Sequence, residues 1–391
     1  MVENIYLFQT KALGLMPSRL REAREACGFN MTELAEKIGV TPQAVSQYES
    51  KIKQPDSSTM MRICSVLHQP ISYFTTERPP GGDEECTVFF RSFRSKTKTT
   101  NKRLDVWRRW AGQYIAFLSQ KINFPKTDLP EIPLQDSYDD KQIERIATNT
   151  RRFWGLGDGP ISNVVALLES KGIVVIRASF SIDDVDAFSC WQNGRPCMFL
   201  GSDKACAVRS RFDAAHELAH LLLHRHISRD QIEMSKTLDR VEQEANRFAS
   251  AFLLPANTFP SEVFSASLSN FFELKLRWKA SAAAMIQRCK QLGIFDDYQY
   301  VNLRKRLSSH GYLHKEPLDD KITIESPTLL QKATKLLIES GTCLGGEIIS
   351  DVRLAADSIA LIGGFDESLL IPRENQLIEL GVSLNTQAIK Q

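Results

Sequence analysis

Residues 211–224 read Arg-Phe-Asp-Ala-Ala-His-Glu-Leu-Ala-His-Leu-Leu-Leu-His, a run with no helix breaker. His216 and His220 stand four apart, so on a helix both imidazoles rise from one face and can reach one ion. Glu217 lies beside them, where a carboxylate can take a proton from water. Phe212, Ala215, Leu218, Ala219 and Leu222 make the helix apolar nearly all round, which predicts an interior helix rather than a solvated one. A His-Glu-x-x-His run in an interior is a zinc motif with a mechanism: two nitrogen ligands and a general base.

A catalytic zinc needs a third protein ligand and an open position. His226 lies six residues past His220, but the sharp turn that would bring it back has Leu223 where a glycine is expected. Glu242 and Glu244 open a second helix, predicted from about Val241 to Leu254 and stopped by Pro255. These residues alone leave three candidates open. Arg211 is a candidate oxyanion donor or a salt-bridge residue, and the apparent strand Cys197–Leu200 either an edge for an extended peptide or a buried central strand. Asn193-Gly194 makes the turn between that strand and Val185–Trp191, and Ile173–Ile176 reads as a third strand.

The first 80 residues have another character. Ser18 can cap a helix carrying Leu20, Ala23 and Cys27, ended by Gly28. Asn30 with Glu33 forms a capping-box pattern for a helix ended by Gly39, and Thr41-Pro42 opens a third. Helix, glycine turn and capped second helix is the layout that presents the second helix to a DNA major groove. Arg78-Pro-Pro-Gly-Gly reads as a linker. Positive charge then concentrates from Arg91 through Lys102 and Arg103 to Arg108 and Arg109, either a salt-sensitive phosphate-binding strip or a solvated face joining two domains.

At 391 residues, 42% apolar and 25% charged, the chain has the composition of an ordinary globular protein with room for two or three domains. The net charge of +2 decides little; its distribution matters more. No apolar run approaches a membrane span, and the N-terminus has no export pattern. Eight scattered cysteines without a Cys-x-x-Cys pair read as reduced thiols, so a cytoplasmic location is expected.

Residues 19–74 resemble the Cro/repressor (XRE-type) helix-turn-helix family, through Arg19-Leu-Arg-Glu-Ala-Arg, Leu34-Ala-Glu-Lys-Ile-Gly-Val, Thr41-Pro-Gln-Ala-Val-Ser-Gln-Tyr-Glu and Pro70-Ile-Ser-Tyr-Phe. The resemblance implies a recognition helix at Pro42–Ser50. Gln43, Ser46 and Gln47 would face base edges, and Lys51 and Lys53 phosphates. Met31 departs from the family, which usually has a phosphate-binding glutamine there. The run 211–224, with Glu242-x-Glu-Ala-Asn-x-Phe-Ala-x-x-Phe-Leu-Leu-Pro, resembles the ImmA/IrrE metallopeptidases. That resemblance implies Glu244 as the third zinc ligand beside His216 and His220, Glu217 as catalytic base, and a structural His224. Asp213 and Ala219 stand where the family commonly has threonine and glycine.

The expected fold is mainly α (α+β): a four- or five-helix DNA-binding bundle at 1–78 and a basic linker and connecting helix at 79–124. A zincin-like domain with a small sheet follows at 125–310, and a helical module at 311–391. The expected function is a DNA-binding regulator with a site-specific zinc endopeptidase, acting on a repressor-type helix-turn-helix protein or on itself. Its partners would be operator DNA, a protein substrate and a second copy of the chain, with no membrane. The alternatives are a non-proteolytic factor that senses a metal or metabolite, and an antitoxin-like partner-binding protein.

Overall fold

The computed structural model describes residues 14–79, 89–90, 98–179, 186–202, 206–228, 231 and 235–371. Five short helices come first: α1 (Pro17–Ala26), α2 (Met31–Ile38), α3 (Pro42–Glu49), α4 (Ser57–Val66) and α5 (Ile71–Thr75). Asn30 and Glu33 form the reciprocal capping box, Thr41 accepts from the Ala44 N–H, and Gly39 ends α2 at φ 68°. The expected Ser18 cap does not form. Pro17 takes the first helical position and Met16 precedes it, with no side-chain cap.

A two-residue strand, β1 (Phe89–Phe90), precedes the long helix α6 (Lys98–Lys121); residues 80–88 and 91–97 lie outside the described ones. The next elements are α7 (Asp140–Phe153), α8 (Val164–Ser170), β2 (Val174–Ala178), β3 (Ala187–Gln192) and β4 (Arg195–Gly201). Then come α9 (Ala207–Leu223), α10 (Ser235–Leu253), α11 (Leu268–Trp278), α12 (Ala282–Gln291) and α13 (Asp297–Ser309). The last helices among the described residues are α14 (Leu329–Glu339), α15 (Gly345–Val352) and α16 (Ala356–Gly363). Among the described residues no helix is long and apolar enough to cross a membrane.

The sheet runs β1-β3-β4-β2, with β3 antiparallel to β1 and β4, and β2 parallel to β4. Asn193 and Gly194 both take positive φ (50° and 69°), as a two-residue hairpin turn requires. Val185, the expected first residue of β3, lies outside the described residues. Of the two readings of Cys197–Leu200, a sheet edge or a buried central strand, the structure has the second. β4 is flanked by β3 and β2, and its residues from Pro196 to Leu200 are buried.

Alternation along the strands divides the sheet between two cores. Val174, Ile176, Phe188, Cys190, Cys197 and Phe199 join the core that also holds α1–α6 and α14–α16. Val175, Ala187, Met198 and Leu200 face the core of α7–α13. Phe188 and Phe199 stack at 4.4 Å between ring centres. The C-terminal helices also touch the N-terminal bundle directly. Gln69, buried, donates to Ser358 Oγ (2.9 Å) and accepts from the Ala355 N–H (2.9 Å).

Part of the basic stretch is spent internally. Arg109 Nε reaches Glu22 at 3.3 Å, Lys102 reaches Glu25 at 3.5 Å, and Arg108 is buried against Asp105 at 2.9 Å. The first two contacts clamp α6 against α1, which carries Glu22 and Glu25, while the Arg108–Asp105 pair lies within α6.

Candidate metal centre

The apolar faces of α9 and α10 pack together, and this burial brings the polar residues between them into contact. His216, Glu217, His220 and His224 are all essentially excluded from solvent. His216 Nε2 and His220 Nε2 approach to 3.0 Å. Glu242 closes the group from α10, with Oε2 at 3.3 Å from His216 Nε2 and Oε1 at 3.4 Å from His220 Nε2. One ligand atom from each of these three residues falls within a 4.8 Å cluster.

Glu244, the acid that the resemblance favoured, is not in that cluster. Two residues on a helix turn the side chain by about 200°, so only one of Glu242 and Glu244 can face the histidine pair. Glu244 instead accepts from His224 Nε2 (3.0 Å), Arg240 NH1 (3.3 Å) and the Tyr138 N–H (3.3 Å). His226 is exposed just past the end of α9 and takes no part. Arg211, an oxyanion-donor candidate or a salt-bridge residue by sequence, is buried, paired with Glu325, and donates to the Ile161 carbonyl at 2.6 Å.

The donor set fits zinc. His216 Nδ1 faces the Asn246 amide oxygen at 3.2 Å, an acceptor only, so a ring proton on Nδ1 has a partner there when Nε2 is turned to a cation. Tetrahedral zinc with bonds near 2.05 Å would separate two ligand nitrogens by about 3.4 Å, close to the spacing seen. Burial would raise the Glu242 carboxyl, but hydrogen bonds and charge from His216 and His220 outweigh it and hold it well below the usual carboxylate range. It is thus an anion at neutral pH, suited to a divalent ion.

Glu217 is placed for a different task. Its Oε2 accepts from Ser189 Oγ at 2.6 Å, while Oε1 is buried with no hydrogen-bond partner among the described residues. Burial pushes its carboxyl up to about 7, opposed by His220 and Ser189 and reinforced by the charges of Glu242 and Asp213. Asp213 acts here through its charge, one turn before Glu217. Ser189 is the contact that sequence reasoning missed, because it comes from β3 rather than from either helix. Asn246 was within reach: it lies four residues after Glu242, on the same face of α10.

The DNA-reading candidates sit together on the first bundle. Gln43 on α3 is exposed, Ser46 and Gln47 are half-buried, and Lys51 and Lys53 are exposed in the loop after it. The Gln47 carbonyl accepts from the Ile52 and Lys53 N–H groups at 3.0 and 3.3 Å, folding that loop back against the end of α3. Val45 and Tyr48 hold the opposite face of α3 in the core.

Comparison with known proteins agrees with this division. Residues 168–290 match the IrrE N-terminal-like domain family, and residues 20–74 match a helix-turn-helix family. A 65-residue stretch is 31% identical to an uncharacterized HTH-type transcriptional regulator of Sinorhizobium medicae, covering 17% of this chain and 47% of that protein. A 55-residue stretch is 31% identical to the HTH-type transcriptional regulator ImmR of Bacillus subtilis, covering 14% of this chain and 43% of that protein. The matches span under half the length of these curated relatives. The chain thus joins an XRE-type helix-turn-helix domain to an IrrE/ImmA-like domain.

Proposed function

We propose that the protein is a DNA-binding transcriptional regulator whose central domain is a site-specific zinc endopeptidase, cleaving a repressor-type regulatory protein or itself. The observation that carries the catalytic half is Glu217. It follows His216 directly on α9, its Oε1 has no hydrogen-bond partner among the described residues, and its proton affinity is brought near neutrality by burial. A structural or purely metal-sensing site needs ligands but has no use for such a base.

When bound, zinc supplies Lewis acidity toward a peptide carbonyl and toward water. His216, His220 and Glu242 would hold it. Glu217 Oε1 takes a proton from the attacking water and passes it to the departing amine, while Ser189 fixes the carboxylate through Oε2 so that one oxygen does the transfer. Gln43, Ser46 and Gln47 read base edges, and Lys51 and Lys53 hold phosphates.

One observation favours a second reading. A cavity of about 620 Å³ lies beside α9 and α10, lined by Asp213, Asn246, Arg209 and Arg304 among others. A metabolite there would touch Asn246, the partner of His216, and a sensor would need no cleavage. The discriminating experiment compares zinc-loaded wild type with Glu217→Gln, incubated with helix-turn-helix repressors and alone. Cleavage by wild type and none by the variant supports the peptidase. Stoichiometric zinc with no cleavage by either supports the sensor.

A further inference from the structure

Two glutamines are buried near the junction of the DNA-reading bundle with the C-terminal helices, and they differ in one respect. Gln69 is paired at both ends of its amide, with Ser358 Oγ and the Ala355 N–H. Gln113 on α6 is only 1% exposed, and neither its Nε2 nor its Oε1 has a hydrogen-bond partner among the described residues. Buried polar groups are nearly always paired, because an unpaired one carries the full cost of leaving water. Gln113 also lines a cavity of about 630 Å³, a volume typical of small-molecule sites. Three segments far apart in sequence bound it: residues 72–79 at the end of α5, one stripe of α6, and the end of α15. Gln113, Phe117 and Lys121 follow at four-residue steps and so share that stripe. Phe117 adds a buried apolar surface next to the amide. Around the cavity Lys121 and Arg353 are offset by Glu77 and Asp351, and Arg78 is committed to Glu22 at 3.0 Å. The lining therefore selects no net charge.

We propose that this cavity binds a small uncharged molecule through an amide-type edge, a hydrogen-bond donor beside an acceptor, such as adenine or a carboxamide presents. A glutamine amide holds an acceptor and a donor side by side, so it pairs with both atoms of such an edge at once. The ligand takes up the two bonds that Gln113 lacks and rests against Phe117. It touches the end of α5, α6 and the end of α15 together, so its binding ties the C-terminal helices to the DNA-reading bundle. Arg353 already makes that tie from both of its ends. Its carbonyl accepts from Arg19 NH2 at 3.2 Å, and its own NH1 donates to the Glu77 carbonyl at 2.7 Å. Arg353 and Glu77 both line the cavity, so the bound molecule lies against the tie itself. The site is independent of the metal centre and of any cleavage.

The test uses the full-length protein with adenosine and nicotinamide as probes. Their controls are purine riboside and 3-acetylpyridine, each of which keeps the acceptors of its parent and lacks the N–H donor. In calorimetric titration adenosine or nicotinamide should bind one per chain, and which of the two binds tells a base from a carboxamide. The matching control should bind about 10-fold more weakly, and Gln113→Met should weaken the probe about 10–100-fold, as the loss of one and of two hydrogen bonds predicts. Amide exchange should slow on binding at the end of α5 and in α15 together. Without any probe, Gln113→Met and Gln113→Leu should unfold at or above the wild-type temperature, because each removes an amide with nothing to pair with. Failure of both probes to bind overturns the proposal. So does binding that Gln113→Met leaves unchanged, or a control that binds as well as its parent. Protection confined to one of the two segments overturns the tie. A clearly lower unfolding temperature in both probe-free variants also sinks the inference, since it shows the amide already satisfied by the chain or by water.

Discussion

Replacing Glu22 by glutamine should loosen the DNA-reading bundle from the helix that carries it. The Glu22 carboxylate is buried on α1 and gathers four donors: Arg19 NH1 (2.8 Å), Tyr73 Oη (3.0 Å), Arg78 NH2 (3.0 Å) and Arg109 Nε from α6 (3.3 Å). Arg78 and Arg109 are about a fifth exposed and can turn to water. Arg19 cannot, being fully buried. It keeps its bonds to the carbonyls of Tyr73 (3.1 Å) and Arg353 (3.2 Å) and its seat over the Tyr73 ring (3.6 Å), but loses its counter-charge. Breaking a buried pair this way costs about 3–5 kcal/mol, and the surviving contacts place this case near ~3 kcal/mol. Amide exchange in α1 and the start of α6, followed by mass spectrometry, should therefore quicken by about 100-fold in Glu22→Gln. Replacing both charges, as Arg19→Met with Glu22→Leu, should recover most of the loss, since the pair costs desolvation at both ends. Exchange less than about 5-fold faster in Glu22→Gln would refute the reasoning, as would a double variant no better than the single one.

Three further expectations concern the site and its neighbours. Glu242→Ala should abolish zinc binding at micromolar concentrations, a larger loss than the about 10–100-fold of a supporting residue; chelator competition with Glu244→Ala alongside decides the order, and the reverse ranking would restore Glu244 as the ligand. In gel shifts on operator DNA, Gln43→Ala and Gln47→Ala should each cost about 1–3 kcal/mol and relax sequence preference. Lys51→Ala or Lys53→Ala should instead weaken all sequences alike and flatten the salt dependence by about 0.9 per contact. Glu144 ties α7 to Arg247 (2.8 Å) and Arg288 (2.5 Å); burial raises its carboxyl, but the two guanidinium groups win and hold it below the usual value. The unfolded chain therefore binds the proton more readily, so the stabilisation is complete above the ordinary glutamate range and fades as pH falls through and below it. Denaturant unfolding of Glu144→Gln against wild type should show a gap at pH 7 that narrows at pH 4, and a gap that widens there would contradict the assignment.

Much of this was legible in the sequence, and the omissions share a cause. Local rules were enough for the helices of the first bundle: Asn30, Glu33, Gly39, Thr41 and Pro42 act within their own turns. The pair His216–His220 is likewise a four-residue relation. The choice between Glu242 and Glu244 is not local. It depends on the rotation of α10 about its own axis, which is set where Ala245, Phe248, Ala249 and Phe252 meet the core. Ser189 and Glu325 come from distant segments, and nothing near Glu217 or Arg211 names them. The basic residues of α6 read as a charged strip because a sequence cannot show that Glu22 and Glu25 lie across from Arg109 and Lys102.

Phe188 and Ser189 are adjacent in β3, yet their side chains enter different interiors. One packs against the ring of Phe199 in the core shared with the N-terminal bundle, and the other holds the carboxylate of Glu217. The two halves of the protein are therefore not interchangeable parts. A fragment cut before α7 would keep the histidines and base of the site but lose α1–α6, leaving only α14–α16 to cover the apolar face of Val174, Ile176, Phe188 and Phe199, a partly open patch prone to self-association. A foreign DNA-binding module grafted there would have to bring a matching apolar surface. Exchange of modules among such regulators is thus constrained by a wall between the two interiors that is a single sheet thick.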